Sequence, residues 1–348
     1  MKSLWNADLG DGTYRNSILY TDCSDPEGIP KKALDAYFCY IQQEEVKLHS
    51  FMLLRGTHVL EERYFGSIHK ETPQRMYSIS KSMTSIAIGI LIRDEKINLQ
   101  DKICQYFPDK LPGGKAHPWI EAMTITHMLT MSTAHEKTTY KDYGKDDWVE
   151  SFFTVPPDYP PGTVFSYDTS SSHVLAALVE RVSGMSITEF LKQNFLTEIG
   201  ADQHISWITD PMGVSEGGSG FSSTTEELDK IAYVCNHYGN FFGKQILDEA
   251  YMRAATGVQI DTGKQSTKDE QQGYGFQFWR VRHHGFALYG MGGQLAVCFP
   301  DKDFIYITTA DAEGGLAQTT KLYEAFWKYI YPFIESPLQS SRLLKKMR

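Results

Sequence analysis

Cysteine is scarce in this chain and poorly placed for pairing. Cys23, Cys39, Cys104, Cys235 and Cys298 are scattered through 348 residues, none in a Cys-x-x-Cys spacing, and their number is odd. That argues against a disulfide framework and a thiolate metal centre. His, Asp and Glu do not gather at metal-ligand spacing either, so no metal and no other cofactor is expected. No apolar run approaches the length of a membrane span. The opening Met1-Lys2-Ser3-Leu4-Trp5-Asn6-Ala7-Asp8 lacks the apolar core of a signal peptide. A soluble, cytoplasmic protein with no membrane partner is the expectation. Basic clusters are missing apart from the tail Lys345-Lys346-Met347-Arg348, and the net charge is −9, so nucleic acid is not an expected partner. Repeats, low-complexity tracts and a clear linker are absent as well.

Apolar residues are plentiful. Hydrophobic residues make up 41% of the chain and aromatic residues 13%, enough for a large core in one big domain or two intimate ones. The first 30 residues are polar and turn-rich and read as a surface arm. Pro30 to Glu44 reads as a helix. His49 to Leu54 and Val59 to Phe65, on either side of Arg55-Gly56-Thr57, read as a hairpin. Between about 100 and 260 the pattern is helical and loop-rich, with helices expected at Thr126 to Met131, Ser172 to Ser183, Ile187 to Phe195 and Thr225 to Tyr238. Extended patterns return at Tyr274 to Val281, Phe286 to Tyr289, Leu295 to Phe299 and Phe304 to Thr309, and Leu316 to Phe333 reads as a last helix. Strands at both ends of the chain predict one sheet assembled from 1–98 and 262–348. A mainly helical domain, 99–261, would be inserted between them, with a cleft at the join.

One short motif carries chemistry. Ser78-Ile79-Ser80-Lys81 opens an apolar run that continues through Met83, Ile86, Ala87, Ile90 and Leu91 to Arg93-Asp94-Glu95-Lys96. If the run is helical, hydroxyl and amine share one face, and a neutral amine there can take the hydroxyl proton. Ser-x-x-Lys also occurs at Ser67-Ile68-His69-Lys70, but Thr72 and Pro73 interrupt any helix after it. Ser78 has a second local reading, as a helix N-cap and nothing more.

Five segments in order give the chain a family resemblance. They are Tyr77-Ser78-Ile79-Ser80-Lys81-Ser82, Ile125-Thr126-His127-Met128-Leu129-Thr130-Met131, and Pro160-Pro161-Gly162-Thr163 leading to Phe165-Ser166-Tyr167. Gly217-Gly218-Ser219-Gly220-Phe221-Ser222-Ser223-Thr224 and Gly290-Met291-Gly292-Gly293-Gln294 complete the set. Spread over most of the chain, they resemble the serine β-lactamase-like hydrolases: class C β-lactamases, D-peptidases, esterases and 6-aminohexanoate-oligomer hydrolases. The resemblance implies an α+β fold, an α/β sandwich of antiparallel sheet flanked by helices, of the β-lactamase/penicillin-binding-protein type.

It also implies roles. Ser78 would be the nucleophile and Lys81 its base. Tyr167 stands where the family carries a Tyr-x-Asn motif, and its phenol would share the proton transfer. Here the motif reads Tyr167-Asp168-Thr169, so Thr169 replaces the Asn. Literal Tyr-x-Asn copies at Tyr14-Arg15-Asn16 and Tyr238-Gly239-Asn240 lie out of order or in a turn. The family's third element is Lys- or His-x-Gly on a cleft strand. Met291-Gly292-Gly293-Gln294 occupies that place, with Met291 where a cation would be and the Gln294 amide proposed, with that of Ser78, as an oxyanion donor. The glycines have a plainer reading as a tight turn into a strand. His283-His284-Gly285 matches the letters but lies a strand and a turn too early.

Lesser candidates are His135-Glu136, placed to touch substrate but read first as a solvated loop bordering the cleft, and the aromatic run Tyr274, Phe276, Phe278 and Trp279, read mostly as core with one ring available to wall an acyl pocket. The expected activity is hydrolysis of small carboxylic esters through an acyl-enzyme, the partner being a small-molecule ester or amide. Linear amides, D-amino-acid peptides and β-lactams are the alternatives within the family. A binding or sensing homologue without catalysis is the alternative outside enzymes.

Overall fold

The computed structural model describes residues 29–143 and 146–335, together with three two-residue strands at Ala7–Asp8, Tyr14–Arg15 and Leu19–Tyr20. The expected N-terminal arm falls almost wholly outside these residues, as does the basic tail. Helix α1, Lys31–Gln43, buries Ala33, Leu34, Tyr37 and Ile41 on one stripe, the spacing of an amphipathic surface helix. Strands β1, Leu48–Arg55, and β2, His58–Tyr64, form the expected hairpin across Gly56-Thr57.

Helix α2, Ile79–Arg93, has no polar face: every residue from Ile79 to Leu91 is buried. Its hydroxyls are satisfied instead by neighbours. Ser82 Oγ donates to Gln277 O at 2.8 Å, Thr84 Oγ1 donates to Gly217 O at 2.9 Å, and Ser85 Oγ lies 3.0 Å from the Tyr251 hydroxyl. Helix α3, Thr169–Ser183, packs against α2 and starts three residues earlier than the sequence pattern suggested, because Asp168 caps it with bonds from the Ser170 and Ser171 amides. Helix α4, Thr225–Asn236, opens on a capping box between Thr224 and Glu227.

The remaining strands are β3, Trp279–Arg280, β4, Phe286–Gly290, β5, Gln294–Phe299, and β6, Phe304–Ala310; helix α5, Gly315–Ala325, follows. The sheet order is β3-β4-β5-β6-β1-β2, with Leu19–Tyr20 as a seventh strand outside β2. All neighbours are antiparallel except that last pair. β1 pairs with β6 at the centre, so the two ends of the chain meet there. Both faces are covered. Phe51, Leu53, Val297, Phe304 and Tyr306 point into a core shared with α1 and α5, while Met52, Leu54, Ala296, Ile305 and Ile307 point into a larger core shared with α2, α3 and α4. Successive residues alternate between the two cores, as the strand period of two requires.

Two expectations change. Tyr274 to Val281 is not a continuous strand: only Trp279–Arg280 pairs with β4. Gln277, at φ 65°, bends the run because it is tied down from all sides. Its N–H donates to Leu129 O and its side chain to Met128 O and Leu129 O, while it accepts from Ser82 and Ser172. The last helix is not one piece either; a wider π turn at Phe326–Ile330 and a restart at Pro332 divide it. No described helix is long and apolar enough to cross a membrane.

Candidate active site

Ser78 occupies the N-cap position of α2 but makes no capping bond through its side chain. Tyr77, before it, is held at φ 49°, a conformation that costs energy for a non-glycine residue. The Ser80 hydroxyl donates to Tyr77 O and accepts from Phe221 N–H, which fixes that turn. The Ser78 hydroxyl is thereby left half-buried and free of the helix end, 3.2 Å from Lys81 Nζ.

Lys81 is buried, and burial is the main reason its amine is pulled down to about 7; Lys141 acts in the same direction and Asp168 against it. Its Nζ also lies 2.7 Å from Gly218 O and 3.3 Å from Thr169 Oγ1. When the amine is neutral, two N–H groups serve Gly218 and Thr169, and the lone pair is left facing the Ser78 hydroxyl. The glycines of the 217–220 segment allow this approach. A Cβ on Gly218 would stand 2.4 Å from Thr169 Cγ2, and one on Gly217 would stand 2.2 Å from Ser172 O.

Tyr167 sits just before α3, its ring centroid 4.8 Å from Lys81 Nζ. Burial pushes its phenol up to about 12, while the neighbouring Ser78 hydroxyl and Trp279 indole act the other way. The loop before it is anchored by Ser166, whose N–H donates to Met131 O and whose hydroxyl donates to Glu136 O. Thr169 N–H donates to Thr138 Oγ1 at 3.1 Å. Asp168, between the two, is a buried helix cap whose carboxyl burial raises to about 6, against the pull of its Ser170 and Ser171 partners and of Lys81.

Ser78, Lys81, Tyr167 and Thr169 are therefore brought together. The hairpin end is arranged differently. Gly290 and Gln294 face each other across the Met291-Gly292-Gly293 turn, and Gly290 lies against the chain entering Ser78: a Cβ there would be 2.2 Å from Met76 O. Gly292 and Gly293 have positive φ and press on Ala312 and Leu322, which gives them a backbone-packing role. The Gln294 side chain is committed to Met291 O and to both backbone groups of Ala310. Met291 is 50% exposed.

The rival motifs lie elsewhere. Ser67-x-x-Lys70 is not helical, and Lys70 pairs with Glu226 at 2.8 Å. His283 and His284 sit at the opposite end of β4, where His283 stacks on Tyr331 at 4.2 Å. Tyr238 and Gly239 form a positive-φ turn beneath Arg253. His135 is buried, not solvated as expected; its Nε2 lies 2.9 Å from Phe152 O. Together with Glu136 and the following residues it lines a cavity of about 320 Å³.

Sequence reasoning passed over several participants. The Gly218 carbonyl, the Thr138 hydroxyl and the Gln277 anchor act through backbone or through distant folding, and no spacing announces them. Asp168 had a signal: an Asp followed by Thr-Ser-Ser ahead of an apolar helix is an N-cap pattern. Of the aromatic run, Phe276 and Phe278 are core, whereas Tyr274 and Trp279 pack with Phe165, Tyr167 and Tyr289.

Comparison with known proteins agrees with the architecture. A family model described as Beta-lactamase matches residues 49–324. A 6-aminohexanoate-dimer hydrolase of Paenarthrobacter ureafaciens is 23% identical over 288 residues, 76% of this chain and 72% of its own. Among solved structures, EstCE1, a hydrolase with promiscuous acyltransferase activity, is similar with a TM-score of 0.70 at 14% identity, covering 85% of this chain and 98% of its own. The octameric penicillin-binding protein homologue of Pyrococcus abyssi is similar with a TM-score of 0.65 at 19% identity, over 87% and 79%. These two likenesses establish a shared fold and carry no substrate.

Proposed function

Because this chain belongs to the Beta-lactamase family, we propose that it is a serine hydrolase working through a covalent acyl-enzyme, with Ser78 as nucleophile and Lys81 and Tyr167 moving its proton. The observation that carries this reading is the buried amine, held at about 7, 3.2 Å from a Ser78 hydroxyl that caps nothing. At neutral pH such an amine is poised as a general base. Ser78 Oγ attacks the substrate carbonyl while its proton passes to the Lys81–Tyr167 pair, and the same pair delivers it to the leaving group. Water then repeats the sequence in reverse and frees Ser78. Backbone N–H groups of Ser78 and Gln294 are assigned to the developing oxyanion, each donor worth about 3 kcal/mol.

Small carboxylic esters are the substrate class we favour. Support comes from Met291 where a cation would hold a carboxylate, and from Thr169 where a longer Asn would hold an amide. Linear amides are the second reading, favoured by the relative that is a 6-aminohexanoate-dimer hydrolase. A panel of p-nitrophenyl esters, linear amides including D-alanyl amides, and a chromogenic cephalosporin separates these. Ester turnover and fluorophosphonate labelling, both lost in Ser78→Ala, are the expected results. Labelling that persists in Ser78→Ala would sink the nucleophile, and cephalosporin turnover without ester turnover would overturn the substrate class.

A further inference from the structure

Tyr167 lacks one thing that its proposed role requires. When the proton it shares with Lys81 rests on the amine, the phenol oxygen carries negative charge. The resemblance places a cation or dipole of the third motif nearby, and here that position is Met291. Glu270 adds to the difficulty, since its charge disfavours ionisation of the Tyr167 phenol.

Trp279 offers a replacement. Its ring lies nearly parallel to that of Tyr167, with centroids 5.5 Å apart and planes at 27°. The indole is only 6% exposed, and its Nε1–H is buried without a hydrogen-bond partner. A buried, unpaired N–H is costly and calls for a reason. This one lies beside Tyr167, where it favours the ionised phenol, and it makes no hydrogen bond in the structure. It is also closely packed. Phe165, Tyr274 and Tyr289 stand edge-on around the indole, at 5.6, 4.9 and 6.1 Å between centroids. Its backbone is held in register with Ala287, and Gln277 anchors the chain two residues earlier.

We infer that Trp279 is a positioning residue whose indole N–H donates to the Tyr167 oxygen when that oxygen is ionised. The inference rests on the role given to Tyr167 above. A bond made only to the charged form lowers the barrier without tightening substrate binding. Its weight falls on deacylation. In the free enzyme the Ser78 hydroxyl also favours the ionised phenol. In the acyl-enzyme the Ser78 oxygen is esterified and has no hydrogen to donate, so of these two donors only the indole remains, beside the Lys81 ammonium. Water then gives its proton to the Tyr167 oxygen and bonds to the acyl carbon. The Ser78 Oγ–carbon bond breaks, and the proton passes to Ser78 Oγ.

The test is burst kinetics with p-nitrophenyl acetate on the full chain. Trp279→Phe keeps an aromatic ring and removes the N–H. Its burst rate is expected to stay within about threefold of the parent while steady-state turnover falls about tenfold, the size of one hydrogen bond, with KM not raised. The acid limb of turnover shifts to higher pH. Trp279→His, which restores a ring N–H, recovers part of the loss. In a Tyr167→Phe background, Trp279→Phe changes nothing further. Equal slowing of burst and steady state, or the same loss in the Tyr167→Phe background, reduces Trp279 to packing and overturns the inference while the role of Tyr167 stands. Unchanged rates in Tyr167→Phe alone overturn that role and the inference together. Thermal melts confirm that each variant is folded; if Trp279→Phe does not fold, the comparison of Trp279→His with the parent decides, a tenfold loss in both phases refuting the inference.

Discussion

The two sides of the site are made from different materials. One side is side chains carried at the starts of two helices: Ser78 and Lys81 at α2, Thr169 at α3, and Tyr167 just before it. The other is the Gly290–Gln294 hairpin end, whose proposed contribution is a backbone N–H and whose outward side chain, Met291, is half exposed. Side-chain chemistry demands particular residues at particular spacings. Backbone chemistry demands only that nothing stand in the way, so it constrains which residues are excluded and leaves the rest free.

That contrast can be broken by substitution. Lys81→Met replaces the amine by an apolar chain of similar length and is expected to lower ester turnover by about a thousandfold. The melting temperature should not fall, since a buried amine is expensive to keep. A loss under tenfold would mean that the helix-borne side is not where the chemistry lies. Gly290→Ala comes next. Its Cβ would meet Met76 O at 2.2 Å and displace the chain entering Ser78, for an expected loss of about a hundredfold in kcat/KM. Full activity would show that the hairpin can retreat without cost.

The pH dependence sharpens the helix side. As the proposed base, Lys81 would work only when neutral, so kcat/KM should rise with pH through about 7. Asp168 raises that value through its charge, so Asp168→Asn should move the limb to lower pH; an unmoved limb would remove Lys81 as its origin. The same variant affects stability. The Asp168 carboxyl is raised to about 6 in the fold and holds its proton more tightly there than in the unfolded chain. Its stabilising contribution is complete below the ordinary carboxylate value, about 4, and fades as pH rises through 6. Because Asn still caps the helix, the melting temperature of Asp168→Asn should lack that decline, which melts at pH 4 and pH 7 will check. The smallest effect is expected at Met291→Ala, within about threefold on esters. A large loss there would make Met291 part of substrate recognition.

Much of this was legible in the sequence, for reasons that follow the same division. The β1–β2 hairpin, β4, β5 and β6 were readable because their apolar runs are bounded by turn residues. Ser78-x-x-Lys81 stood out from Ser67-x-x-Lys70 because only the first precedes an uninterrupted helix. Gln277 was not readable. It bends the Tyr274 to Val281 run through bonds to Leu129, Ser82 and Ser172, partners that lie far away in sequence and that only the fold brings together. His135 appeared polar and therefore solvated, but its partner is the carbonyl of Phe152. The family resemblance supplied the place of Tyr167; local pattern alone does not single out one tyrosine among 20.

The pairing of β1 with β6 has a consequence for how the chain is made. Leu48–Arg55 leaves the ribosome long before Phe304–Ala310, its central partner. Until then the β1–β2 hairpin presents an open edge and apolar side chains on both faces, Phe51 and Leu53 on one and Met52 and Leu54 on the other. A sheet closed across so much intervening chain forms slowly, and an unpaired apolar edge is a site for wrong association. Nascent chains that stop short of β6 should therefore be the aggregation-prone and chaperone-dependent species, and the C-terminal strands are what end that exposure.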